Sequence, residues 1–120
     1  MRVDLVKDFT IEAAHRLPQL PPEHKCFRLH GHSFRLEIRV RGEVNPATGF
    51  VMDFAEVNRA FQPLFDLLDH NYLNEIEGLS IPTSENLAHW IWIRLTGKLQ
   101  GLAEVVVHET CTARAVYRGE

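Results

Sequence analysis

The sequence predicts an α+β domain, a four-stranded antiparallel sheet with two helices on one of its faces. Three observations predict it. Residues 3–15 and 32–41 alternate apolar and polar side chains, the period of a strand that buries one face. The stretches from Asp53 to Leu68 and from Thr83 to Leu95 instead repeat apolar residues three and four apart, as amphipathic helices do. The resulting order of strand, strand, helix, helix, strand, strand keeps the helices together in the chain. That order suits one helical layer over an antiparallel sheet.

Each element has its own grounds. In the first strand Val3, Leu5, Phe9, Ile11, Ala13 and His15 share one parity, with Lys7 the exception. Arg2, Asp4, Asp8, Thr10 and Glu12 fall mostly on the other. In the second strand Phe34, Leu36, Ile38 and Val40 face one way, and Arg35, Glu37, Arg39 and Arg41 the other. Between the two, RLPQLPPEHKCFRL holds Pro18, Pro21 and Pro22 and reads as a loop. So long a loop in a small domain is commonly functional. EVNPATG is a turn. Asp53 then opens a helix, with Glu56 three residues on as a capping-box partner and Phe54, Val57, Phe61, Leu64, Phe65 and Leu68 as the apolar stripe. Pro63 lies inside that stripe and predicts a kink or a division. A second helix starts at IPTSEN with Thr83 or Ser84 as its cap, carries Leu87, Trp90, Ile91 and Leu95, and is closed by Gly97 and Gly101. LAEVVVHET and TARAVYRG form two further strands around a corner near Cys111.

Composition narrows the function. A chain of 120 residues suits a single domain over 1–120, and 45% hydrophobic with 24% charged residues argues against disorder. A formal net charge of -3 gives no ground for nucleic-acid binding. MRVDLVKDF lacks a signal-peptide core, and no apolar run reaches membrane-spanning length, so a cytoplasmic location without membrane contact is the expectation. The two cysteines, Cys26 and Cys111, are too few for a secreted disulfide scaffold and are expected as thiols.

Histidine stands out, with seven in the chain. His30 and His32 are two apart, so in extended chain both leave on the side of Phe34 and Leu36. His15 shares the face of Ile11 and Ala13. If the first two strands pair antiparallel, the end of one lies beside the start of the next and the three imidazoles converge. Three imidazoles suit Zn²⁺ at about 2.0–2.1 Å, with a fourth position left for water or substrate, the pattern of catalytic rather than structural zinc. Iron or nickel fits the same donors. The competing reading is of ordinary polar residues at strand ends. Gly31 between the ligands lets the backbone bend. A cupin-like reading of His30-x-His32 followed by Glu37 fails, because Glu37 points to the opposite face and the strands are too few for that barrel.

Other candidates keep two readings each. Cys26 is either a fourth metal ligand or, near a dication, Lys25 and Arg28, a thiolate base or nucleophile. Asp69 and His70, past the end of the first helix, are either an oriented acid–base pair or a solvated helix end with a histidine near the dipole. Glu109 shares parity with Val105 and Val107, and its carboxylate ends an apolar strand face either as a ligand anchor or in a salt bridge. His24, His89 and His108 read as surface or packing residues.

His15, then CFRLHGHSF, LDHNYLN, PTSEN and HETCTARAVYRGE, together resemble the 6-pyruvoyltetrahydropterin synthase family, of the tunnelling fold, nearly end to end. The Cys-x3-His-Gly-His spacing is most similar to that of its bacterial 6-carboxytetrahydropterin synthases of queuosine biosynthesis. Pyruvoyl-forming relatives have a longer gap, and hydroxymethylpterin-releasing ones often use a glutamate near the cysteine position. The resemblance implies zinc on His15, His30 and His32, Cys26 as catalytic thiol, Asp69 and His70 as its acid–base partners, and Glu109 as pterin anchor. Thr83 and Ser84 would add ring contacts, and Lys25, Arg28 and Arg16 could meet a triphosphate. The implied substrate is 7,8-dihydroneopterin triphosphate, cleaved to a 6-carboxytetrahydropterin, acetaldehyde and triphosphate. Alternatives are triphosphate elimination to the pyruvoyl product, or a non-catalytic protein with Cys26 on a structural zinc. The family closes its sheet edges in homo-oligomers, commonly trimers stacked into hexamers, with the pocket between subunits. Phe27 stands where a small residue is common, which bears on the conformation of the loop.

Overall fold

A computed structural model describes residues 1–120. The alternating segments form β1 (Arg2–His15) and β2 (His30–Glu43), followed by α1 (Phe54–Leu68), α2 (Ser84–Leu95), β3 (Leu102–His108) and β4 (Arg114–Tyr117). The four strands lie in chain order in one sheet, each pair antiparallel. Two short 3-10 turns, Lys25–Phe27 and Leu73–Glu75, punctuate the connections.

Period two puts Ile11, Phe34, Leu36, Ile38, Val40, Val105 and Val107 on one sheet face, where each is wholly buried. Val57, Phe61, Leu64 and Leu68 of α1 and Leu87, Ala88, Ile91 and Leu95 of α2 close over them as a single core. Each large apolar side chain so buried contributes about 1.5–3 kcal/mol. The opposite face is charged. There Arg41 meets Asp4, Glu104 bridges Arg39 and Arg118, and Glu37 accepts from buried His108. Glu37 therefore points away from His30 and His32, as its parity requires. No helix is long and apolar enough to cross a membrane.

Local chemistry explains the element ends. The Asp53 carboxylate accepts from the Ala55 amide and caps α1, and the Thr83 hydroxyl accepts from Asn86 and caps α2. α1 is not divided: it runs unbroken through Pro63. Pro63, Arg59 and Gln62 are exposed, so the backbone bond the proline forfeits lies on the solvent side of the helix, where losing it costs least. At Gly101, φ is 82° and an added Cβ would lie 2.5 Å from the Arg41 carbonyl oxygen, so only glycine turns the chain into β3 here.

Past α1 the chain returns along β1. The His70 amide donates to the Glu12 carbonyl at 2.6 Å and the Ala14 amide to Asn71 at 3.1 Å. This covers the β1 edge beside His15. The remainder of that edge, and the outer edge of β4, carry no further strand.

Candidate metal centre

The pairing of β1 with β2 sets His15 opposite His30 and Ala13 opposite His32. All three imidazoles reach one end of the core face, with one nitrogen from each within 4.8 Å of the others. Phe34 forms the floor, its ring edge-on to both His15 and His32. Gly31 allows the two strands to close here, since an added Cβ would stand 3.2 Å from the Ala13 carbonyl oxygen. The glycine between the ligands thus serves a close approach of strands rather than a bend.

Hydrogen bonds decide how the rings present themselves. His15 Nδ1 lies 2.9 Å from the Pro82 carbonyl and His30 Nδ1 lies 2.8 Å from the Arg28 carbonyl. A carbonyl only accepts, so each Nδ1 carries the proton and each Nε2 is left with a lone pair. Those two Nε2 atoms face each other at 3.0 Å. With neutral rings no proton lies between them, and the arrangement is repulsive unless a cation sits at their meeting point. His32 Nε2 is buried without a hydrogen-bond partner; Glu109 Oε1 is 3.4 Å away, within ion-pair reach but not aligned as a hydrogen bond. Burial holds the pKa values of His15 and His32 below the ordinary imidazole range, favouring the neutral form that binds metal. The donor set fits Zn²⁺ in kind: the 3.0 Å between His15 and His30 lies within the span of two bonds of about 2.0–2.1 Å, and backbone carbonyls orient both of those rings through Nδ1.

The Cys26 thiol is outside this donor group and makes no hydrogen bond to the imidazoles, to Asp69 or to His70. Its residue is half-buried in the turn after the Pro-rich loop. Asp69 and His70 do come together. His70 takes a left-handed backbone (φ 57°) past the end of α1, which swings its Nδ1 to 2.7 Å from Asp69 Oδ2. The Glu12 amide donates to the other oxygen, Oδ1, at 2.9 Å. That amide, and then the His70 bond, hold the Asp69 carboxyl below its usual pKa, and Asp69 in turn raises that of His70. The imidazole itself is exposed and lines an open depression of about 510 Å³ with Glu12, Gly31, His32, Ser33 and Tyr72. Cys26 is not part of that lining.

Glu109 lies just beyond β3, beside His32, and accepts from Ser84 Oγ at 2.7 Å through Oε2. Its neighbours are therefore a hydroxyl and an imidazole rather than an arginine or lysine. Ser84 is buried, whereas the Thr83 hydroxyl is occupied by the α2 cap. The groups that hold the site in place but that residue types did not reveal are the Pro82 and Arg28 carbonyls, the Glu12 amide and Asn74. Asn74 pairs with the Arg16 backbone at 3.0 and 2.8 Å.

The model of the family described as 6-pyruvoyl tetrahydropterin synthase matches residues 4–120. The chain belongs to the 6-pyruvoyl tetrahydropterin synthase family. A Synechocystis sp. protein named 6-carboxy-5,6,7,8-tetrahydropterin synthase is 45% identical over 119 residues, covering 94% of this chain and 91% of its own length. A Bacillus subtilis protein of the same name is 32% identical, covering 96% of this chain and 84% of its own. The structure of the Caenorhabditis elegans 6-pyruvoyl tetrahydropterin synthase superposes with a TM-score of 0.91 over the whole chain and 97% of its own, at 28% identity. The fold is the tunnelling fold of that family, with the predicted element order, and the chain is an enzyme of the tetrahydropterin synthase type.

Proposed function

We propose that the protein is a zinc-dependent carbon–carbon lyase. It converts 7,8-dihydroneopterin triphosphate and water to 6-carboxy-5,6,7,8-tetrahydropterin, acetaldehyde and triphosphate, a product that feeds queuosine biosynthesis. The observation that carries the reading is the pair of opposed Nε2 lone pairs of His15 and His30, with His32 beside them and Glu109 adjoining. Zn²⁺ held by His15, His30 and His32 supplies a Lewis acid that lowers the pKa of a substrate hydroxyl.

The chain's own groups do the rest. Glu109, oriented by Ser84, offers a carboxylate to the paired N–H groups of the pterin ring, a charge-assisted bidentate contact. Thr83 and Ser84 border the ring from the start of α2. Cys26 exchanges a proton with the substrate side chain. His70, its pKa raised by Asp69, returns one, so protons move between side chain and ring without a redox cofactor.

The protein works as a homo-oligomer, with trimers stacked into hexamers and sites between subunits. Three features support this. Cys26 does not line the depression that His70 lines, and both sheet edges are open over most of their length. The radius of gyration, 15.6 Å, also exceeds the about 13.6 Å of a compact domain this long, as befits a subunit completed by its neighbours.

Incubation with 7,8-dihydroneopterin triphosphate tests the reading. Acetaldehyde and a 6-carboxypterin are expected. A 6-pyruvoyl product without acetaldehyde would replace the proposal with the activity named for the C. elegans relative. Metal analysis of protein purified without added zinc should find about one equivalent per chain.

A further inference from the structure

Three successive carbonyls in the turn bearing Cys26 are each tied to a different group. The Leu17 amide donates to the Cys26 carbonyl at 2.8 Å. Arg16 Nε donates to the Phe27 carbonyl at 3.2 Å. His30 Nδ1 donates to the Arg28 carbonyl at 2.8 Å. The Arg16 guanidinium also stacks on the Phe27 ring, 4.5 Å from its centroid. A planar guanidinium does both with its flat face and its edge in one fixed geometry, which an ammonium point charge does not reproduce. Of the three tie points, one is a metal-binding imidazole and the other two are the residues that directly follow another, His15.

We infer that Arg16 is a positioning residue: its side chain, clamped on Phe27, fixes the Cys26 thiol relative to the metal centre. This deepens the proposed lyase reading and rests on it. The clamp engages Arg16 Nε and one face of the guanidinium within the chain. The backbone of Arg16 is held separately, by the two bonds from Asn74, so shortening the side chain removes the clamp and leaves the chain path anchored.

The test uses Arg16→Ala, Arg16→Lys, Phe27→Ala and Phe27→Trp in the full-length, zinc-loaded protein. Arg16→Ala should lower kcat about 100-fold, the consequence of a displaced reacting group, with KM within about threefold and zinc content unchanged. Arg16→Lys should fall nearly as far, because charge alone does not rebuild the fork or the stack. Phe27→Ala should also fall, and Phe27→Trp should restore turnover. Hydrogen exchange at the Cys26, Phe27 and Arg28 amides should accelerate in Arg16→Ala and not in Phe27→Trp. A rise in KM with kcat kept, or a fully active Arg16→Lys, would overturn the inference and make Arg16 a substrate-phosphate contact. If the unmodified protein released no acetaldehyde, the lyase reading would fail, while the exchange comparison would still decide the clamp. Unchanged exchange at the three amides would reject it.

Discussion

His15 and His70 present one side chain in two opposite settings. His15 is fully buried at the end of β1, its Nδ1 committed to a backbone carbonyl, and burial lowers its pKa. His70 stands exposed past α1, its Nδ1 committed to the Asp69 carboxylate, which raises its pKa. The first setting withholds charge from the ring and leaves a lone pair. The second favours the cation and leaves a proton to give. A neutral donor and a favoured cation are thus made from the same residue by what faces Nδ1 and how much water is near. The two settings lie 55 residues apart in the chain, at the end of β1 and past the end of α1.

The largest effect should come from breaking the buried region. His30→Ala removes one of the two opposed lone pairs. Zinc content should fall from about one equivalent to near zero, and turnover should drop by several kcal/mol of barrier, about a thousandfold or more. Retained zinc with retained turnover would show that the three imidazoles do not form the metal site.

The next effect breaks the exposed region and leaves the buried one intact. Asp69→Asn removes the charge that raises the His70 pKa. Zinc should stay bound, while kcat falls about 10²–10⁴-fold as the positioned acid is lost. The sign of the pH shift follows from the raised His70 pKa: without Asp69 the imidazolium deprotonates at lower pH, so the alkaline limb of kcat moves down toward the ordinary imidazole value of 6.5. By linkage, the His70 pairing stabilises the fold most below 6.5 and is lost as pH rises through the raised value. An unmoved alkaline limb would sever His70 from the proton transfer.

Where the two regions meet, Glu109→Gln offers a smaller and different effect. The substitution keeps shape and the Ser84 contact but removes the carboxylate charge. Losing a charge-assisted pair of about 1.5–3 kcal/mol should raise KM about 10- to 100-fold, with zinc retained. A variant that loses zinc instead would make Glu109 a support of the metal site through its 3.4 Å approach to His32.

How much of this was legible depended on whether side chains or backbone carried the information. Period-two alternation in residues 3–15 and 32–41 gave β1 and β2, and the same rule put His15, His30 and His32 on one face, because parity is a property of residue order. The strand β2 begins at His30, two residues before the alternating run, since His30 itself pairs with His15. Parity also carried Glu109 to the site, although β3 ends one residue earlier. What stayed hidden was the tautomer control by the Pro82 and Arg28 carbonyls and the Glu12 amide on Asp69, because every residue owns those groups and none announces its use. Of the kink or division that Pro63 predicts, the division does not occur, because Pro63 falls on the exposed side of α1, which residue type alone does not tell. Phe27 was visible only as a departure, and its role emerges from the guanidinium stacked on it.

The smallest effect sharpens the division between holding a shape and holding a ligand, using two adjacent hydroxyls. Thr83 accepts from the Asn86 amide and caps α2, while Ser84 donates to Glu109. Thr83→Ala should lower unfolding free energy by about 1 kcal/mol, the value of a helix cap, and leave KM nearly unchanged. Ser84→Ala leaves the cap in place and frees one oxygen of a carboxylate that is only partly exposed. Its hydrogen bond is worth about 1 kcal/mol, so KM should rise about fivefold while the melting temperature moves little. Paired melting and KM measurements on the two variants read this directly. If both alter only stability, the Ser84–Glu109 contact closes α2 onto β3 and takes no part in orienting the pterin anchor.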